Sequence, residues 1–413
     1  MHRVGYIIIA FLFTGCFAKK ESRHELKSGM WRATVEIQGM EVPFNFEVKK
    51  NANGNINVYL INAEERLLLD EVTVKGDSVD IALHIFDANI EAVINGDSLK
   101  GVFVKNFAPD YRLPFVAVHG QSNRFPKATN QLEVPDFNGK YQVTFVHEQD
   151  TTPAIALFKQ QGDSVTGTFL TPTGDYRFLQ GNVADGTLQL SLFDGNYVYL
   201  FTAAKQLDGS LTGKYYSGKT RMETWTAVKN DNATLPDAEK LTFLKEGYDR
   251  ITFNFPDVNG NNVSLDDDKY KNKVVILQLF GTWCPNCMDE TRFLSPWYEE
   301  NKSRGVAIIG LAYERKADFT YASTRVKKMI EKLNVSYDFV IAGTDDKAKA
   351  SETLPMLNQV VAFPTTIFIG KDGKVKKIHT GFTGPSTGIY YEQFKEDFNE
   401  TINELLAEGT ALN

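Results

Sequence analysis

Two patterns of apolar and polar positions divide the chain. From about residue 28 to 228 the alternation has a period of two, in short runs such as 31–37, 44–48, 56–60 and 79–85, separated by Gly, Asp and Asn turns. Helical periodicity is nearly absent there, so the stretch predicts strands joined in antiparallel meanders. Beyond residue 250 the pattern changes. Short continuous apolar runs, Val274 to Phe280 foremost, alternate with segments whose apolar residues recur at three and four, as in Met288 to Tyr298 and Asp318 to Leu333. Buried strands alternating with amphipathic helices predict an α/β domain.

The strand-rich region repeats itself. Gly29-Met30-Trp31-Arg32-Ala33-Thr34-Val35 echoes Gly139-Lys140-Tyr141-Gln142-Val143-Thr144-Phe145, and Asp97-Ser98-Leu99-Lys100-Gly101 echoes Gly209-Ser210-Leu211-Thr212-Gly213. The spacing stays near about 110 residues, which marks two copies of one β unit, about 28–125 and 138–228. Meanders must close or cover their edges, so each copy is expected to form a small barrel or part of a sandwich. The aromatic residues Trp31, Tyr141, Tyr197, Tyr199, Tyr215, Tyr216 and Trp225 either line a pocket or fill the core; strand periodicity favours core. Residues 229–249 read as a linker with at most one short helix, and 250–408 as the α/β domain.

The chemistry concentrates at one junction. The Val274–Phe280 run passes through Gly281-Thr282 into Trp283-Cys284-Pro285-Asn286-Cys287 and then a helix. A cysteine at a helix N-terminus faces unpaired N–H groups and the positive end of the dipole, which favours its thiolate below the ~8.5 of a free thiol. Cys284 is thus the expected nucleophile, and Cys287, one turn on, the resolving partner that closes a disulfide. Asp289 and Glu290 are expected in the first helical turn, where acidic residues complement the dipole.

These residues carry a resemblance. Trp283-Cys284-Pro285-Asn286-Cys287 with Glu290 following looks like the active site of the thioredoxin superfamily, in particular of the TlpA-like thiol-disulfide oxidoreductases that include the ResA type. Ala362-Phe363-Pro364-Thr365-Thr366 stands where that family has its cis-proline loop. The resemblance implies a thioredoxin fold over 250–408 and catalytic roles for Cys284, Cys287 and Glu290, the last as a proton relay. It also implies substrate contacts at Trp283, Pro285, Phe363 and Pro364, with an extended client segment pairing beside Phe363. Gln278 stands where thioredoxins carry a buried aspartate, so a relay has to use Glu290 or water. No cofactor beyond the Cys284–Cys287 disulfide is implied. A peroxiredoxin is disfavoured, since Gly281 replaces the threonine its nucleophile needs and Leu277 to Phe280 offers no proline.

Composition and the N-terminus supply the setting. Among 413 residues, 42% hydrophobic with 23% charged is globular, and a net charge of −7 offers no basic surface for nucleic acid. Met1-His2-Arg3, the apolar Tyr6 to Phe13 and Phe13-Thr14-Gly15-Cys16 read as a lipoprotein signal over 1–15, with Cys16 lipidated and 16–27 a tether. The chain has three cysteines, so lipidation of Cys16 leaves only the redox pair. The histidines His24, His84, His119 and His147 lack ligand spacing, and no metal site is expected. The combined expectation is a bacterial cell-envelope protein, periplasm-facing and anchored by lipid, leaning to the outer membrane because Phe17 follows the lipid cysteine. It would reduce disulfide-containing client proteins and be recharged by a membrane electron donor. The alternatives are an oxidase or isomerase on the same fold, or a ligand-binding lipoprotein whose β repeats are the working part.

Overall fold

The computed structural model describes residues 25–128 and 134–408. The signal segment, Cys16 and most of the tether, including His24, lie outside them. The first β unit is a nine-stranded antiparallel meander running from Gly29–Ile37 to Arg112–His119. Its first strand pairs with its second and its ninth, Trp31 opposite Phe46 on one side and His119 on the other. The strands Glu65–Leu69 and Val72–Lys75 are left as the two edges of a nearly closed barrel. The second unit, Gly139–His147 to Arg221–Lys229, has the same plan and closes fully, because Asp150–Gln161 also pairs with Ser164–Thr171.

The echoed residues have matching jobs. Gly101 and Gly213 each sit where two strands press together: an added Cβ would lie 1.9 Å from the Glu91 carbonyl oxygen at the first and 2.2 Å from that of Thr202 at the second. No other residue fits such a contact. Trp31, Tyr141, Tyr199, Tyr215 and Trp225 are buried, so the aromatics are core, packed edge-on and offset within each barrel, as with Phe201 on Tyr215 at 4.4 Å.

The two barrels share an apolar and hydrogen-bonded seam. Phe193 of the second stacks on Phe44 of the first at 4.2 Å and meets Phe103 edge-on at 5.1 Å. Beside them the buried Arg124 donates to the carbonyls of Ser191 (2.9 Å) and Ile61 and to Asn62 Oδ1 (3.0 Å). Its guanidinium satisfies acceptors of both barrels at once, as its planar five-donor fork allows.

The C-terminal domain is a five-stranded sheet in the order Asp338–Thr344, Val306–Glu314, Val274–Phe280, Thr365–Ile369, Val375–Thr380. The first three strands run parallel and the last two antiparallel, preceded by a hairpin at Asn254–Pro256 and Asn262–Ser264. Helix α1 (Pro285–Asn301) packs against α4 (Ile389–Ala407), with Phe293 and Trp297 both edge-on to Phe398. Helix α2 (Phe319–Leu333) lies on the Val306–Glu314 and Asp338–Thr344 strands, and α3 (Lys347–Thr353), which the sequence pattern did not predict, packs on the latter. Among the described residues no helix is long and apolar enough to cross a membrane.

Candidate active site

The central Val274–Phe280 strand is buried along its whole length, as a strand covered on both faces must be, and it delivers Gly281-Thr282-Trp283 to the edge of the sheet. That turn is fixed by its neighbour strand. Thr282 donates its backbone N–H and its hydroxyl to the two carboxylate oxygens of Glu314, both at 2.8 Å, and the Trp283 indole donates to the Tyr313 carbonyl at 2.8 Å. Arg315 lies over the Trp283 ring at 4.2 Å and over Phe107 of the first barrel at 5.1 Å.

Cys284 is the N-cap of α1. It has extended backbone angles, Pro285 follows at the first helical position, and its sulfur accepts the Cys287 N–H at 3.2 Å. Cys284 and Cys287 are joined as a disulfide with their Cα atoms 5.2 Å apart. The Phe363–Pro364 peptide is cis, and the Phe363 carbonyl stands 3.6 Å from the Cys284 sulfur. Trp283, Cys284, Cys287, Phe363 and Pro364 therefore converge, and Pro285 starts the helix between the cysteines.

Glu290 differs from the sequence expectation. Because α1 begins at Pro285, Asp289 and Glu290 fall in its second turn, and the first turn carries no acidic residue. Glu290 does not tend the dipole in solvent; it is buried to 1% exposure in the protein interior. It accepts from Gln278 Nε2 at 2.8 Å and from the Thr366 hydroxyl at 2.5 Å. Burial pushes its pKa up to about 7, against the opposing pull of those two donors. Gln278 is the hub of this cluster: its amide nitrogen also reaches the Cys287 carbonyl at 3.4 Å, and its oxygen accepts from Thr291 and Tyr337, both at 3.3 Å. Glu314, equally buried, is likewise raised to about 7 by desolvation. Thr366, Glu314 and Tyr337 carry no spacing signal toward the cysteines. Only the sheet register, which sets Thr366 opposite Gln278, brings them in.

The β units do not stand off from this site. Asn196 of the second barrel donates to the Trp283 carbonyl at 2.7 Å, and Asn286, between the cysteines, donates to the Asp175 carbonyl at 3.0 Å. Arg177, 2% exposed, holds both carboxylate oxygens of Asp289 (2.8 and 3.0 Å) while also donating to Asp194 (2.9 Å) and to Glu65 of the first barrel (2.5 Å). The result is that Cys284 is 2% exposed, Cys287 is sealed and Phe363 is buried. The backbone beside the disulfide, expected to be open for a client strand, is covered. No group of metal-ligating side chains occurs among the described residues.

Comparison with known proteins bears on the same region. A family model described as Redoxin matches residues 231–391. The chain is similar to the thiol-disulfide oxidoreductase ResA of Geobacillus thermodenitrificans, 31% identical over 140 residues, which is 34% of this chain and 72% of that protein. It is also similar to the ResA of Bacillus subtilis, 29% identical over 138 residues, 33% of this chain and 69% of that one. Among solved structures, the thioredoxin domain of a thiol-disulfide oxidoreductase from Bacteroides vulgatus is 26% identical, with a TM-score of 0.28, covering 37% of this chain and 99% of that chain.

Proposed function

We propose a direction and a setting for the chemistry from one premise: the chain belongs to the TlpA/ResA-like thiol-disulfide oxidoreductases of the thioredoxin superfamily. The observation that carries the reading is the Cys284–Cys287 disulfide at the start of α1, with the cis-proline loop on one side and the buried Glu290 one turn beyond. In this reading the protein works as a reductase of protein disulfides. The Cys284 thiolate, held by the Cys287 N–H, attacks one sulfur of a client disulfide; a Cys284–client bond forms, the client S–S bond breaks, and the departing client thiolate takes a proton from water. The Cys287 thiol then passes its proton toward the Glu290 carboxylate and attacks the Cys284 sulfur, expelling the second client thiolate. The client gains two electrons, the protein loses them, and the Cys284–Cys287 disulfide is left behind. A group that binds its proton near neutrality suits that acceptor role.

The rest of the proposal concerns surroundings. A membrane electron donor restores the dithiol, no cofactor beyond the cysteine pair takes part, and the protein is held in the bacterial envelope by a lipid on Cys16, facing the periplasm, with the outer membrane favoured. A second reading, oxidase or isomerase, uses the same residues. The ligand-binding reading of the β repeats is less supported, because the aromatic residues that would line such a pocket are packed as core.

The test is the reduction potential of the Cys284–Cys287 pair, read from Trp283 fluorescence in dithiothreitol and glutathione buffers. A value near about −270 mV or lower is expected for a reductase. A value near about −120 mV would instead make the protein an oxidant.

A further inference from the structure

We propose that the second barrel determines which disulfides this protein acts on, because its segment Thr171–Arg177 occupies the groove that a client must enter. The inference rests on the reading that Cys284 exchanges with an external disulfide.

The groove is bounded by Trp283, the Cys284–Cys287 turn, the cis-proline loop and the Gly381–Ser386 loop, which is tied to the proline loop by the Gly381 N–H donating to the Pro364 carbonyl at 2.8 Å. The hairpin contacts two of these walls, the Gly381–Ser386 loop and Asn286 of the cysteine turn. Thr173 and Gly174 press on Gly381 so closely that a Cβ there would stand 2.6 Å from the Thr173 carbonyl carbon. The Asp175 carbonyl takes the Asn286 amide at 3.0 Å, and its carboxylate takes the Gly384 N–H (2.7 Å) and the Ser386 hydroxyl (3.0 Å). Asn196 holds Trp283 from the other side. Trp283, just before Cys284, and Asn286, two residues after it, are thus both bound by the barrel, and Cys284 at 2% exposure is closed to the in-line approach of an external disulfide. An incoming disulfide has to displace this occupant.

The interface is apolar away from the disulfide, where the core of the first barrel runs on into that of the third domain, and polar over the disulfide itself. Its contacts beside the disulfide are polar, and such contacts exchange for water at small net free energy. The seam between the two barrels, with its stacked Phe44 and Phe193, is apolar by contrast. The first barrel stays tied to α2 by Asp87, Glu71 and Asp70 with Arg325, Lys328 and Lys332, so the opening is local to the disulfide, and there the ion network around Arg177 divides along the boundary. If the barrel lifts, Arg177 keeps Asp194 and Glu65, and Asp289 keeps Arg292, which donates to it at 2.8 Å. Neither side is left with an uncompensated buried charge, the circumstance that makes breaking an ion pair most costly. The polar part of an interface between domains is the part expected to open first.

The experiment compares the full-length reduced protein with two variants, Arg177→Met and the double variant Asn196→Ala with Ser386→Ala. Second-order rates are measured for insulin, a bulky protein disulfide, and for oxidised glutathione, a small one, alongside circular dichroism and the reduction potential. Arg177→Met turns the barrel face acidic against Asp289; the double variant removes two interface hydrogen bonds without touching a charge and serves if the first fails to fold. The expected result is an insulin rate raised about tenfold in a folded variant of unchanged potential, with the glutathione rate raised threefold or less. Equal gains on both substrates, or no gain in either folded variant, would overturn the proposal. A wild-type protein whose pair reduces and reoxidises in buffer yet reacts with neither disulfide, in a variant background that reacts with neither as well, would instead remove the catalytic reading on which it rests.

Discussion

Replacing Glu290 by Gln tests the account of the site most directly. The folded protein holds this carboxyl at a pKa of about 7, against 4.5 for an unburied glutamate. The shift of roughly 2.5 units corresponds to about 3 kcal/mol. The sign follows from proton binding. Between the two pKa values the folded state binds more proton than the unfolded chain, so stability contributed by this group is fully present below pH about 4.5 and is lost as pH rises through about 7. Glutamine is neutral at every pH and retains the contacts if its carbonyl faces Gln278 and its amide faces Thr366, whose hydroxyl can turn to accept. Urea unfolding of the oxidised protein and of Glu290→Gln, measured from pH 4 to 8.5, should give profiles that diverge with rising pH, the variant gaining about 3 kcal/mol relative to its acid-side difference. Glu314, raised by the same burial, titrates in both proteins and cancels. Parallel profiles would refute the reasoning, since they would mean that Glu290 ionises as a surface carboxylate does. The same variant should lose about a hundredfold or more in the rate of Cys287 attack if the carboxylate accepts its proton.

Two further outcomes follow from the geometry. Cys287→Ser should accumulate a mixed disulfide with a client at Cys284, visible on non-reducing gels, whereas Cys284→Ser should accumulate none; trapping through Cys287 would reverse the assigned roles. Phe193→Ala removes a ring that stacks on Phe44 and meets Phe103 edge-on, and should destabilise the joined barrels by about 3–5 kcal/mol in denaturant titration, while a loss below about 1 kcal/mol would show that the seam is not a packed core.

The redox centre was legible because its signals are local. A buried strand, two cysteines one turn apart and a Phe-Pro segment leading into a neighbouring strand need only chain order to be read together. The placement of Glu290 was misread for a local reason too: Pro285 marks the first helical position, and starting the helix there moves Asp289 and Glu290 inward by one turn. The duplication was legible from echoed turns, and its glycines at 101 and 213 are explained by strands in van der Waals contact. What sequence could not supply is the cover over the disulfide. Asn196 and Trp283 are 87 residues apart, and Arg177 and Asp289 112, with no periodicity linking them. Nothing in the sequence marks Arg177 and Asp194 as buried; it takes two barrels and a third domain to enclose them.

The seam at Arg124 and Phe193 has a mechanical consequence. It joins the barrels into one arm, and Leu26, buried to 1%, fastens the first described residues to that arm. The arm meets the third domain both at the ion pairs of Asp70, Glu71 and Asp87 with α2 and at the polar contacts over Cys284, so a pull on its N-terminal end is shared between the helix and the redox site.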